Sequence, residues 1–245
     1  MIQQWIVPTL PQAFSFLEAM NHIALSELER ARYYMVEQQI RPWNVSDEKV
    51  LQALVEVQRE RFVPSSLRSS AFSDTELPLI INAVDTHETM LSPKVEARLA
   101  QELLLQPSDG VLEIGTGSGY QAALLAHLSQ QVTSIEIDSK LAAFAQENLQ
   151  RNNVRNVKVE VGDAHAGWGT TEYDAILVTG SVPTIPDALK YQLCIGGRLV
   201  VVVGQNPVMT AVRITRTSAA SFETTPLFDT WIKPLRGTAV SQFRF

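Results

Sequence analysis

The chain is short of several things, and each shortage removes a class of function. It holds one cysteine, Cys194, in 245 residues, so an internal disulfide and a cysteine-based zinc site are both excluded. The company of that thiol, Tyr191-Gln-Leu-Cys-Ile195, is apolar, which predicts a buried and inert sulfur. Nowhere do about 18 apolar residues run together, as a membrane span requires. The first residues, Met1-Ile-Gln-Gln-Trp-Ile-Val-Pro8, have neither a basic start nor a long apolar core, so they do not read as a signal peptide. An excess of positive charge is missing too. Lys and Arg number 20 against 26 Asp and Glu, a net charge of −6 with a pI near 5.3. That argues against a nucleic-acid binder. The expectation is a soluble cytoplasmic protein with no membrane and no nucleic-acid partner.

What is present is enough material for a core. Apolar residues make up 45% and charged residues 19%, which fits one large α/β domain or a domain with an extension. The stretch that organises it is Val111-Leu-Glu-Ile-Gly-Thr-Gly-Ser-Gly-Tyr120. Val111 to Ile114 reads as a strand buried on both faces, and Ala122-Ala-Leu-Leu-Ala-His-Leu128 as a helix. Between them lie Gly115, Gly117 and Gly119, with Thr116 and Ser118 interleaved. Strand, glycine turn and helix start together make a holder for a charged ligand, because the helix end offers unpaired N–H groups. Gln131-Val-Thr-Ser-Ile-Glu-Ile-Asp138 reads as the next strand, with Glu136 at its end, 21 residues after Gly115. A carboxylate there can accept both hydroxyls of a ribose. Tyr120 stands where a dinucleotide fingerprint has its last glycine, so S-adenosylmethionine, with a ribose and no phosphate, suits the loop better. Glu113, just before the turn, can order the loop or meet the ligand's amino-acid end.

Residues 1 to about 25 read as an irregular extension. A helix is expected over Ser26 to Gln39, broken by Arg41-Pro-Trp-Asn. A second is expected with Ser46 as N-cap, Val50, Leu51, Leu54 and Val57 as its buried face, and Phe62-Val-Pro at its end. Residues 66 to 92 read as a long, Ser-rich irregular connection. Beyond Pro93, helices and strands alternate. Strands are expected at Val157 to Val161, Tyr173 to Thr179 and Arg198 to Gly204, with a helix over Ile185 to Leu193 between the last two. Thr210 to Thr215 and Phe228 to Leu235 suit antiparallel edge strands. The alternation predicts an α/β, doubly wound, Rossmann-like sheet, divided into residues 1–92 as N-terminal helical extension and connection and 93–245 as core. Ligands of such sheets sit beyond the C-terminal strand ends, where Glu113 to Gly119, Glu136, Asp163 and Thr179 to Ser181 fall.

These residues resemble the protein-L-isoaspartate O-methyltransferases. The likeness rests on Val111 to Gln121, Gly162-Asp163, Tyr173 to Thr179, Pro183-x-Ile-Pro-x-Ala-Leu189 and Gly196-Gly-Arg-Leu-Val200. It extends upstream through Arg59-Glu-Arg-Phe-Val63 and Leu77-Pro78, and downstream to Lys233-Pro-Leu-Arg-Gly237. The resemblance implies a seven-stranded methyltransferase sheet, S-adenosylmethionine as donor, and a protein or peptide bearing an isoaspartyl residue as acceptor, its methylation beginning repair. By position it implies that Gly115, Thr116, Gly117, Ser118 and Gly119 hold the donor's methionine end. Glu136 then takes the ribose, and Asp163 with Ala164 the adenine, Thr179 lying at the next strand end. The sequence departs from the family before Pro93, where Thr89-Met-Leu-Ser-Pro93 keeps the threonine but has Leu91 in the place of an acceptor-site serine. Thr89 and Ser92 are the candidate catalytic residues there. A carboxylate of pKa near ~4 is already ionised at pH 7 and needs no base. If the acceptor is an amine or hydroxyl, Asp85, His87 and His165 become base candidates. The remaining readings are the same fold and donor with another acceptor, or a silent nucleoside-binding member.

Overall fold

In a computed structural model of the chain, residues 26–237 are described; the extension expected over residues 1 to 25 lies outside them. Helix α1, Glu27–Tyr34, opens with a capping box in which Ser26 accepts from Glu29 N and Glu29 accepts from Ser26 N. It continues as a π-helical turn, Met35–Ile40, and stops where Asn44 adopts φ 61° after Arg41–Trp43. Helix α2, Glu48–Glu56, is capped by Asp47, whose Oδ1 accepts from Lys49 N at 2.8 Å. Ser46, expected in that role, instead gives its amide to Gln101 Oε1. A carboxylate one residue later reaches the free amides of the first turn as well as a hydroxyl would. The helix ends at Glu56, earlier than Phe62, and a 3₁₀ turn at Arg59–Arg61 leads on.

The connection over 66 to 92 is not irregular. A 3₁₀ segment, Ser65–Ser70, leads to an antiparallel hairpin of β1, Leu77–Ile81, and β2, Val84–Met90. Its turn residues, Asn82 (φ 50°) and Ala83 (φ 63°), give the left-handed pair that a two-residue hairpin needs. Leu77, Leu79 and Met90 anchor it in the core.

After α3, Pro93–Glu102, the chain winds a seven-stranded sheet: β3 Gly110–Ile114, β4 Gln131–Glu136, β5 Val157–Val161, β6 Tyr173–Val182, β7 Leu193–Gln205, β8 Val208–Arg216 and β9 Phe222–Asp229. The order is β5-β4-β3-β6-β7-β8-β9, parallel as far as β7 and antiparallel through β8 and β9. Both faces of the central strands are covered, which is why they read as largely apolar runs. Leu112, Ile114, Ile176, Val178, Leu199 and Val201 pack on one side, and Val111, Ala175, Leu177, Val200 and Val202 on the other. Each buried Val, Leu or Ile among them contributes roughly 1.5–3 kcal/mol. Helices α4 (Tyr120–Leu128), α5 (Ser139–Arg151) and α6 (Asp187–Tyr191) complete the crossovers. The last is shorter than Ile185 to Leu193, because Pro186 serves as its N-cap and Leu193 already belongs to β7.

The final strand is Phe222–Asp229, displaced from the expected Phe228 to Leu235. The residues after it return across the C-terminal strand ends. Ser181 N donates to Lys233 O and Leu235 N to Ser181 O, both at 2.9 Å. A stretch that alternates like an edge strand thus serves as a cover over the end of β6.

Candidate active site

The strand order reverses between β3 and β6, so their C-terminal ends diverge and leave a crevice. The glycine loop fills its floor. Gly115, Gly117 and Gly119 have φ of 98°, 55° and 82°, and a Cβ on Gly115 would collide with the Thr179 hydroxyl. That hydroxyl donates to Ile114 O and Gly115 O, at 2.9 and 2.6 Å, clamping loop to β6. From β4, Glu136 Oε2 accepts from Gly117 N at 2.9 Å and Oε1 from Asp138 N at 3.0 Å. Burial raises its pKa, while the two amides pull the other way.

Above the loop lies a cavity of about 90 Å³, lined by Gly115, Gly117, Glu136, Asp163, Ala164 and Thr179, among others. Ile135, Ile137 and Leu141 supply apolar wall. Asp163 is held below its ordinary pKa by the backbone N–H and ring of His165, whose Nδ1 lies 2.9 Å from Oδ1. A smaller cavity of about 40 Å³ opens behind the loop, lined by Thr116, Ser118, Gln121 and Glu96. Thr89, Leu91, Gly115, Gly117 and Thr179 line both. An acid for ribose hydroxyls, apolar walls for a flat base, a second acid at the far end and an open glycine loop fit an adenosine-bearing donor.

Glu113 lies under the loop and lines neither cavity. It is wholly buried and accepts from Ser134 Oγ, and Ser134 in turn lies 2.6 Å from Thr116 Oγ1. Of the two roles open to it, the geometry provides the ordering of the loop. Burial pushes its pKa up to about 8, with Glu136 adding repulsion. Ser92 also lines neither cavity. It occupies the N-cap position of α3, where its carbonyl accepts from Val95 N and Glu96 N at 3.0 and 3.1 Å. Leu91 stands at the cavity wall in its stead. Thr89 does line the site, and its hydroxyl donates to Glu76 Oε2 at 3.0 Å. Of the base candidates, Asp85 and His87 are exposed and line neither cavity, whereas His165 does line the larger one. Cys194 is half-buried, less than expected, and burial raises its thiol pKa.

Several residues at the mouth went unassigned in the sequence. Glu88 Oε2 pairs with Lys233 Nζ at 2.9 Å and Oε1 with Arg236 Nε at 2.5 Å. Arg236 also reaches Asp138 Oδ2 at 3.3 Å and Thr86 O at 3.0 Å. All of these contacts but the one to Asp138 link β2 to the C-terminal cover. The run Lys233-Pro-Leu-Arg-Gly237 was the available signal, but nothing local gave it a partner. Deeper down, Arg59 is fully buried and gives Nε to Ala71 O (3.0 Å), Nη1 to Glu96 and Nη2 to Leu91 O (2.8 Å). It therefore fixes the backbone of Leu91 at the cavity wall. Burial pushes Glu96 up to about 8, against the attraction of Arg59.

Among the described residues, no helix is long and apolar enough to cross a membrane.

Comparison with known proteins agrees with this geometry. The family model for protein-L-isoaspartate(D-aspartate) O-methyltransferase matches residues 30–238. A protein-L-isoaspartate O-methyltransferase of Synechococcus sp. is 46% identical over 177 residues, 72% of this chain and 70% of its own. Protein-L-isoaspartate O-methyltransferase 2 of Marinobacter nauticus is 40% identical over 215 residues, 87% of this chain and 94% of its own. The fold also superposes on a putative protein-L-isoaspartate O-methyltransferase from Plasmodium falciparum, crystallised with S-adenosyl-L-homocysteine. There the TM-score is 0.72 at 19% identity, covering 86% of this chain and 99% of that one.

Proposed function

The chain belongs to the protein-L-isoaspartate O-methyltransferase family, and from that premise we infer that it is a methyltransferase acting on isoaspartyl carboxylates of damaged proteins with S-adenosylmethionine as donor. The observation that carries this reading is the cavity at the strand-order reversal, where a glycine loop, Glu136 and Asp163 meet apolar walls.

When bound, the donor supplies an electrophilic methyl on a positively charged sulfur. Everything else falls to the residues. The loop from Gly115 to Gly119, with Thr116 and Ser118 beneath it, receives the amino-acid end. Glu136 keeps lone pairs beside its bonds from Gly117 and Asp138, and these accept the ribose hydroxyls. Asp163 accepts from the adenine amine, Ala164 and Ile137 cover the ring, and Thr179 holds the loop to β6. The acceptor carboxylate is ionised at neutral pH, so no residue has to take a proton. Alignment of the two reactants can contribute roughly 7–11 kcal/mol. On the acceptor side Thr89 offers the side-chain hydroxyl of its segment that reaches the cavity, exchanging its bond to Glu76 for one to the carboxylate. Ser92, as helix N-cap, would act only after a shift of backbone.

One observation favours a second reading with the same donor and a different acceptor: Leu91, which cannot donate a hydrogen bond, faces the cavity. Labelled methyl transfer to an isoaspartyl peptide, set against its ordinary aspartyl isomer, separates the two. Label in the first alone is expected. Donor binding without label in either would leave the second reading standing.

A further inference from the structure

The molecule is acidic overall, and its cations are mostly matched to acids. Arg41 pairs with Glu37 and Glu48, Arg98 with Glu102, Arg198 with Asp109 and Arg216 with Glu172. One groove departs from this pattern. It lies between the β1–β2 hairpin and α5, has a volume of about 600 Å³, and is lined by Arg61, Arg68, Lys140 and Arg151 against one acid, Glu147. All four cations are exposed. Among the described residues, Arg61, Arg68 and Lys140 make no ion pair, and the Arg151 guanidinium bonds only Glu147 O and Asn148 Oδ1. The floor is apolar, with Ile80, Ile81, Val84 and Phe144, and Val84 is 61% exposed.

The groove adjoins the cavity. Along β2, Val84 and Thr86 line the groove and Glu88 lines the cavity, with His87 at φ 62° between Thr86 and Glu88. Arg236, in the cavity wall, donates to Thr86 O. On α5, Lys140 lines the groove and Leu141, the next residue, lines the cavity.

Resting on the isoaspartyl reading above, we propose that this groove receives the chain flanking the damaged residue and selects substrates whose flank is acidic and carries an apolar side chain. Unpaired guanidinium and ammonium groups over an apolar floor complement a segment with both features. The net charge of −6 repels such a segment at a distance, so the preference arises only at contact range and fades with salt.

The test uses two isoaspartyl peptides identical but for a flank of three Glu or three Gln. The Glu peptide should have kcat/KM higher by about fivefold at low salt, carried by KM, since each exposed ion pair is worth a small factor. In the double variant Arg68→Gln/Lys140→Gln the ratio should fall towards one, and in about 0.5 M NaCl the wild type should lose it too. Equal rates in the wild type, or a ratio that persists in the double variant, would overturn the proposal while leaving the isoaspartyl reading intact. Methylation of neither peptide although the donor binds would sink that reading and this proposal with it. If selectivity is absent while a short RNA binds wild type and not the double variant, the groove takes nucleic acid and the proposal falls.

Discussion

At the scale of single residues, the site turns on two departures from what its neighbours prepare for. Leu91 puts an apolar side chain at the cavity wall, while Arg59 holds its carbonyl at 2.8 Å. Because the backbone is pinned, Leu91→Ser should place a hydroxyl at the wall without moving the loop. Methylation of a short isoaspartyl peptide is then expected to rise about tenfold, the scale of one charge-assisted hydrogen bond of ~1.5 kcal/mol. Initial rates of both proteins check it, and an unchanged rate would mean Thr89 alone carries the acceptor. The other departure is Glu113, buried with Oε1 lacking a partner among the described residues. Its pKa is about 8 when folded and near 4.5 otherwise. A carboxyl raised on folding stabilises fully below its unfolded pKa, and that contribution is lost as pH climbs through the folded one. Between pH 5 and 8 the wild type should therefore lose stability relative to Glu113→Gln, by a shift on the order of a few kcal/mol. Denaturant melts of both at the two pH values read it directly. Parallel curves would show that Glu113 does not titrate in that window.

At the scale of elements, what the sequence disclosed was what is local. Strand β3, its glycine loop and α4 are contiguous, and Glu136 ends the next strand, so periodicity and spacing sufficed. The hairpin β1–β2 has no clear local signal, because its turn is Asn82-Ala83 without a glycine and because β2 is too polar to read as a strand. The cover at Lys233 to Arg236 is no more legible, because its partners, Thr86 to Glu88, are about 150 residues away and no period encodes such a distance. Arg59 was legible as part of a motif, but its role depends on Ala71, Leu91 and Glu96 meeting in space. The hairpin and the cover are tied through Glu88, whose carboxylate takes both Lys233 and Arg236. Cutting that tie with Glu88→Gln should loosen the mouth. Affinity for S-adenosylhomocysteine is expected to fall about three- to tenfold at low salt, since partly exposed pairs are worth ~0.2–1 kcal/mol each. In high salt the variant and wild type should converge. Calorimetric titration at two salt concentrations tests this, and an unchanged low-salt affinity would show that the tie does not govern the donor site.

For the whole molecule, the parallel order brings the ends of β3, β4 and β6 to one end of the sheet, where the β1–β2 hairpin and the final segment meet them. A ligand in the cavity therefore touches stretches that share no local structure, and its binding energy couples them. Saturation at about 100 times Kd adds roughly 2.7 kcal/mol to the folded state. For a chain of this size that corresponds to a rise in Tm of about 5–10 °C. Where the added protection appears is more telling than its total. If the cover lies over the donor, amide exchange should slow at 115–119, and also at 86–89 and 233–236, because Leu235 and Arg236 line the cavity and Arg236 is bonded to β2. In Gly117→Val the added side chain enters a loop held at φ 55°, and both the Tm rise and the distant protection should vanish together. Hydrogen exchange with S-adenosylhomocysteine at saturation distinguishes the outcomes. Slowing confined to 115–119 would mean that the cover stands apart from the ligand, and that Lys233 and Arg236 act on β2 alone.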